Sequence, residues 1–328
     1  MKADCSLQVR SPSELVAALP FLMGYHPHDS VALVGRRGRD LDFGACFDLP
    51  PPGLDTDAAR AATREVAAGI LLQEPDAVVV IGYGPRRRVT PVVVHVAEAL
   101  RDFGVGIDDV IRVHEGRWWS YLCEEPRCCP PEGNLCLPYD SVIAAEATFL
   151  GQVALPSRGD LVAQVAAVQG PGRAAMVVAT EAARRRFGEL VTGDRDTKRL
   201  RRAGRAAVRE AEKRYRSGAT LTDDETAWLG VLLTDPAVED YALDRIGRNE
   251  WRVGLWTDVL RRVEPVYVPA PAALLAFTAW QLGRGALARV AVDRALAAEP
   301  GHELAGMLHQ VLGFAISPGM LRRNRPAC

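Results

Sequence analysis

Apolar residues follow two regimes along this chain. Through about residue 138 they come in short runs: Val31–Val34, Phe43–Phe47, Ala77–Tyr83 (AVVVIGY), Val110–Val113 and Trp118–Leu122. Stretches with helical spacing lie between them. From about Tyr139 onward the short runs nearly vanish and a 3.6-residue period takes over. The pattern predicts an α/β N-terminal region with a mixed sheet over 1–138, followed by an all-α helical C-terminal region over 139–328.

Local signals refine this outline. Ser11-Pro12-Ser13-Glu14 reads as a helix start, with Ser11 as N-cap and Pro12 at the first helical position, running to about Leu19. Asp57–Leu72 reads as an alanine-rich helix. Thr90-Pro91 reads as the start of another, ended by Gly104. The unbroken apolar run Ala77–Tyr83 predicts a central strand buried on both faces. Arg36–Arg39 and His114-Glu115-Gly116-Arg117 read as turns, the second inside a hairpin. Helices are expected near 141–153, 159–168, 173–190, 196–216, 223–233, 236–246, 249–262, 271–282, 286–298 and 302–314. Thr222–Glu225 supplies a capping box and Asp235-Pro236 a further start. Ala288, Val292, Ala295 and Pro300 match the second helix of a tetratricopeptide repeat, but Trp280, Leu282 and Gly283 sit too close to complete one. A packed helical hairpin with small residues at its contact is expected instead.

Composition narrows the class. A length of 328 residues predicts about two domains. Hydrophobic residues at 48% and charged residues at 25% are ordinary for a soluble globular protein. A net charge of −1 argues against a globally electrostatic nucleic-acid binder. No apolar run approaches the ~18 residues of a membrane span, and MKADCSLQVRSPSEL lacks the apolar core of a signal peptide. A cytoplasmic protein with no membrane association is therefore expected. Its seven cysteines are then expected as thiols, metal ligands or redox groups rather than as a disulfide framework.

The densest chemistry lies in GRWWSYLCEEPRCCPPEG, Gly116–Gly133, which holds two of the six tryptophans and three of the seven cysteines. Cys123, Cys128, Cys129 and Cys136 form a C-x4-C-C-x6-C pattern. Zinc is the metal this would suit, because structural zinc takes four thiolate or imidazole ligands, and His114 could add a nitrogen. The spacing is irregular, however, and Pro130-Pro131 stiffens the loop. A reactive thiol is the second reading, with Arg117 or Arg127 lowering its pKa. The third is a set of reduced, partly buried cysteines in a rigid loop. On the strand before them Trp119 and Tyr121 share one face and Trp118 the other. One face fills the core; the other, with Arg117, could wall a ligand. His26-Pro27-His28-Asp29-Ser30 invites a triad reading, but such near neighbours seldom converge as a triad requires. Asp29 or Ser30 more simply orders the turn. Because ligands gather at strand ends, His26, His28 and Asp29 remain ligand-binding candidates, and His26, Asp29, Cys123, Cys128 and Cys129 catalytic candidates. Gly82–Arg88 could present helix amides and three arginines to a phosphate, yet it matches no phosphate-loop motif and reads more simply as a solvated basic loop. Arg184–Arg216 carries thirteen Lys/Arg against five Asp/Glu. A solvated helical face is the expectation there, and nucleic acid is not the expected partner.

Four segments resemble the actinobacterial domain-of-unknown-function family 4192, alanine-rich cytosolic proteins: SPSELVAALPFLMGYHPHDSVALVG at Ser11–Gly35, FDLP at Phe47–Pro50, GRWWSYLCEEPRCCPPEG, and LLAFTAWQLGRGALARVAVDRALAAEPGHELAGML near the C-terminus. They span nearly the whole chain in order. The resemblance implies one full-length unit rather than a fusion, and it supplies no catalytic residue. The expected function is a binding or regulatory module with its ligand site at the Trp/Cys loop, taking a small polar ligand or a protein partner. Its ligand-binding residues would be His26, His28, Asp29, Arg117, Trp119 and Tyr121. Two readings stay open beside it: a cysteine- or metal-dependent enzyme at the same site, and a helical scaffold that self-associates or meets nucleic acid through Arg184–Arg216.

Overall fold

A computed structural model describes residues 9–38, 40–51, 56–138, 141–191, 196–316 and 318–319. Arg39, Tyr139 and Arg195, which the sequence reading drew into a turn, a boundary and a basic run, lie outside the described residues. Contacts divide the chain into two compact units, Met1–Asp160 with Gly313–Cys328, and Leu161–Leu312.

The first unit is built on a six-stranded mixed sheet ordered β2-β1-β3-β4-β5-β6. Its strands are β1 (Ser30–Arg37), β2 (Asp40–Asp48), β3 (Ala77–Tyr83), β4 (Gly106–His114), β5 (Arg117–Ser120) and β6 (Asn134–Leu135). Helices α1 (Pro12–Met23), α2 (Thr56–Leu71), α3 (Arg86–Asp102) and α4 (Val142–Phe149) belong to it. β3 and β4 pair in parallel through α3; the other pairings are antiparallel. β3 is therefore central, as its apolar run requires. Its side chains alternate between two cores. Val78 and Val80 face α2 and α3, packing with Ala67, Ile70, Val89, Val93 and Leu100. Ile81 and Tyr83 face α1, packing with Leu15, Val16, Leu19 and Trp118.

Local chemistry sets the boundaries. The Ser11 hydroxyl accepts from the Glu14 amide at 3.2 Å and caps α1. α1 continues past Leu19 to Met23 with Pro20 inside it, because burial of its apolar face outweighs one missing backbone bond. α3 begins at Arg86 rather than at Thr90-Pro91. Pro85 precedes it, and the Arg88 and Val89 amides close the first turn on the Pro85 carbonyl at 2.9 and 3.1 Å. The β4–β5 hairpin turns on Glu115 (φ 48°) and Gly116 (φ 71°). Two consecutive positive φ values match the twist of the flanking strands.

The second unit is helical: α6 (Pro171–Leu190), α7 (Asp196–Arg216), α8 (Asp223–Leu232), α9 (Pro236–Asp244), α10 (Glu250–Arg262), α11 (Pro269–Gln281) and α12 (Gly285–Ala298) lie within it. α5 (Arg158–Gln164) and α13 (Glu303–Gly313) cross its ends. The capping box at Thr222 and Glu225 is formed. α11 and α12 pack as the expected hairpin, with Ala272, Ala276, Ala279, Ala288, Ala291 and Ala295 fully buried. A charged cluster sits deep in this unit. Glu212 on α7 is 3% exposed and holds Arg252 at 2.9 Å and Arg245. No helix among the described residues is long and apolar enough to cross a membrane.

Candidate functional site

The cysteine loop is shaped by the end of β5. The Ser120 hydroxyl donates to Asp109 Oδ1 at 2.6 Å and accepts from the Cys123 amide at 3.0 Å, which turns the chain out of the sheet. The amides of Cys128 and Cys129 then donate to the Glu125 carbonyl at 3.0 and 2.7 Å, a single helical turn. That turn returns both residues to Cys123, and the three Sγ atoms lie within 4.8 Å of one another. Asn134 Nδ2 donates to the Cys128 carbonyl at 3.0 Å, and Trp119 Nε1 to the Pro131 carbonyl at 3.1 Å. Gly133, at φ +82°, lets the loop close on the indole; a Cβ there would lie 2.4 Å from the Trp119 ring.

The aromatic and basic residues beside this loop have structural duties. The Arg112 guanidinium stacks on Trp119 at 3.5 Å, and Arg117 donates to the Gly133 carbonyl at 2.9 Å. The Tyr121 hydroxyl pairs with Thr90 Oγ1 at 2.6 Å against the α3 side of the sheet, while Trp118 fills the core beneath α1. Trp119 and Arg117 thus hold the loop in place. The thiols differ in acidity for local reasons. A hydrogen bond with Cys129, then one from the Glu125 backbone, pulls Cys123 below the usual thiol range; neither Arg117 nor Arg127 is the source. Burial and its two thiol neighbours push Cys129 up to about 12.

The N-terminal turn lies elsewhere, at the mouth of a cavity of about 860 Å³. The cavity opens at the carboxyl ends of the parallel pair β3 and β4, where ligands of open α/β sheets commonly sit. His26, His28 and Asp29 line it from the α1–β1 turn, Tyr83 from the end of β3 and Gly84 just after it, and His114 and Glu115 from the hairpin. Cys136 lines it too, its thiol pushed up by burial. Leu155 anchors the turn, donating to the Gly24 carbonyl and accepting from the His26 amide, each at 2.9 Å. Burial, then the nearby His28, holds the His26 pKa below its ordinary value. Asp29, at φ 45°, pairs with Arg88, and its carbonyl accepts from the Leu49 amide at 2.7 Å. The structure therefore groups His26, His28 and Asp29 with Cys136 and His114. Cys123, Cys128, Cys129, Arg117, Trp119 and Tyr121 do not line this cavity.

Sequence reasoning passed over Tyr83 and Ser141. Both line the cavity, and both hydroxyls are buried with no hydrogen-bond partner among the described residues. The one available signal was a phenol ending the otherwise apolar run AVVVIGY. Gly82 and Gly84 both sit in close packing. A Cβ on Gly82 would lie 2.2 Å from Val89 Cγ1, and one on Gly84 3.0 Å from Asp29 Oδ1. In the second unit, Lys198, Arg201, Arg202, Arg205 and Arg209 line a shallow basic groove of about 420 Å³ along α7, while Leu200, Val208 and Ala211 face the core.

Among known proteins, a family model described as Domain of unknown function (DUF4192) matches residues 12–319. No curated protein and no solved structure matches the chain.

Proposed function

We propose, for a chain that belongs to the family Domain of unknown function (DUF4192), that its first unit is a binding module for a small neutral or cationic organic molecule. The ligand site is the cavity at the carboxyl ends of β3 and β4. One observation carries this reading: a largely apolar concavity holds a few polar groups, two of them the hydroxyls of Tyr83 and Ser141, which have no partner among the described residues. Ligand sites of ~300–1,000 Å³ are built this way, with apolar walls for affinity and sparse polar groups for orientation. A buried hydroxyl without a partner opposes folding by about 1–3 kcal/mol, which a ligand donor or acceptor would offset. Charge selects the ligand class. Among the described residues, Asp29, paired with Arg88, and Glu115 line the cavity and no lysine or arginine does. Phosphates and carboxylates are therefore disfavoured, and a neutral or cationic heterocycle is favoured.

Ligand-observed NMR tests this with heteroaromatic amines, neutral heteroaromatic amides and inorganic phosphate as probes. The first two classes should bind, and phosphate should not. Ala17→Trp, a half-buried lining position, should fill the space and abolish binding. Tyr83→Phe should weaken it about 5-fold, the worth of one hydrogen bond near 1 kcal/mol. Binding that survives Ala17→Trp, or a preference for phosphate, would overturn the assignment.

A further inference from the structure

We infer that Cys123, Cys128 and Cys129 form a three-thiolate site for a zinc ion whose fourth coordination position is open. The inference is independent of the cavity and of what binds there. Its first support is distance. Tetrahedral zinc with Zn–S bonds near 2.3 Å needs sulfurs about 3.8 Å apart, and these three lie within 4.8 Å of one another. The gap to close is therefore about 1 Å at most.

The second support is the build of the loop. Each ligand's backbone is already tied: Cys123 to Ser120 Oγ, Cys128 and Cys129 to the Glu125 carbonyl, and the Cys128 carbonyl to Asn134. Trp119, clamped between Arg112 and Gly133, fixes the far side of the loop through Pro131. Such a supporting shell is what holds metal ligands in register.

The coordination number follows from what is absent nearby. Among the described residues, no fourth Cys, His, Asp or Glu joins the three at this distance. Cys136 and His114, which the sequence pattern offered as further ligands, line the cavity instead. Cys128 is exposed, and Cys123 and Cys129 are half-buried. The fourth position therefore faces solvent and takes water or an external donor. Closed structural sites carry four protein ligands, whereas three-ligand sites keep an exchangeable position.

The test uses the full chain, purified under reducing conditions, stripped with chelator and reloaded with zinc or cobalt(II). Elemental analysis should find one zinc per chain, and the cobalt form should show thiolate-to-metal charge transfer. Cys123→Ser and Cys129→Ser should each lower zinc affinity by more than about 100-fold, beyond what losing a supporting partner causes. Cys46→Ser and Cys136→Ser should leave affinity unchanged. Cys128→His should still bind, with cobalt charge-transfer intensity reduced by about one third, since one thiolate of three is replaced; this reports ligation rather than folding. Substoichiometric zinc in the parent chain, retention by the Cys123→Ser and Cys129→Ser variants, or loss in Cys136→Ser would overturn the inference. So would thiol counting that finds a disulfide among the three in freshly isolated protein.

Discussion

Substituting Gly82 by alanine tests how α3 is seated on the central strand. Gly82 faces α3, and an added Cβ would stand 2.2 Å from Val89 Cγ1 and 2.8 Å from Val93 Cγ1. An ordinary contact begins at 3.4 Å, so α3 and β3 must part by about 1.2 Å at the tighter point, enough to forfeit much of the dispersion energy along that seam. The neighbours cannot rotate away. Both valines are fully buried, and valine in a helix has one strongly preferred χ1. Overpacking of this kind opposes folding by about 1–3 kcal/mol. A more restricted unfolded chain returns about 0.4–1 kcal/mol, because Gly82 lacks the positive φ that would strain alanine. A net loss of about 1–2 kcal/mol is expected, or about 2–8 °C in Tm. Native-state hydrogen exchange of peptides covering β3 and α3 reads this locally, and urea unfolding reads it globally. Val89→Ala in the Gly82→Ala background should be less destabilised than the sum of the single changes, by about 1 kcal/mol or more. A Gly82→Ala chain within about 0.5 kcal/mol of the parent, or strictly additive effects, would refute this account of the α3–β3 contact.

Two further predictions concern the second unit. Glu212→Ala leaves Arg252, 7% exposed, without its carboxylate, and should destabilise by about 3–5 kcal/mol in urea unfolding; replacing Glu212, Arg245 and Arg252 together with apolar residues of similar volume should recover most of that. His302 lies 3.4 Å from Glu239, whose hydrogen bond raises the imidazole pKa above 6.5 against an opposing effect of burial. A raised folded-state pKa means this contribution is fully present below pH 6.5 and is lost as pH rises through the folded value. Thermal melts across that window should show the loss in the parent chain and its absence in Glu239→Gln.

Much of the site's neighbourhood was legible in the sequence for identifiable reasons. Cys128 and Cys129 are adjacent, and Cys123 is five residues away, so one helical turn brings them together; convergence at that range is a local matter. The role of Gly82 in the Gly82–Arg88 turn was less legible, for the opposite reason. A glycine needed for a phosphate and one needed for a helix contact look alike until the partner is known, and here the partner is Val89. Trp119 was weighed as a ligand wall because alternation gives a face but not what lies on it. The occupant is Arg112 from β4.

The sequence by itself determined the elements and their kinds. Period-2 and period-3.6 patterns, caps such as Ser11 and Thr222, and the apolar run Ala77–Tyr83 act over a few residues, where backbone sterics and side-chain alternation suffice. Only the tertiary structure decided which loops meet. The antiparallel placement of β1 beside β3 sets the start of one strand at the end of the other. That brings His26, His28 and Asp29 to the cavity at Tyr83 and His114, while the turn after Ser120 carries Cys123 away from it. Such meetings depend on strand order and direction. These are chosen by the burial of two whole sheet faces at once, a sum over the fold that no short stretch of chain contains.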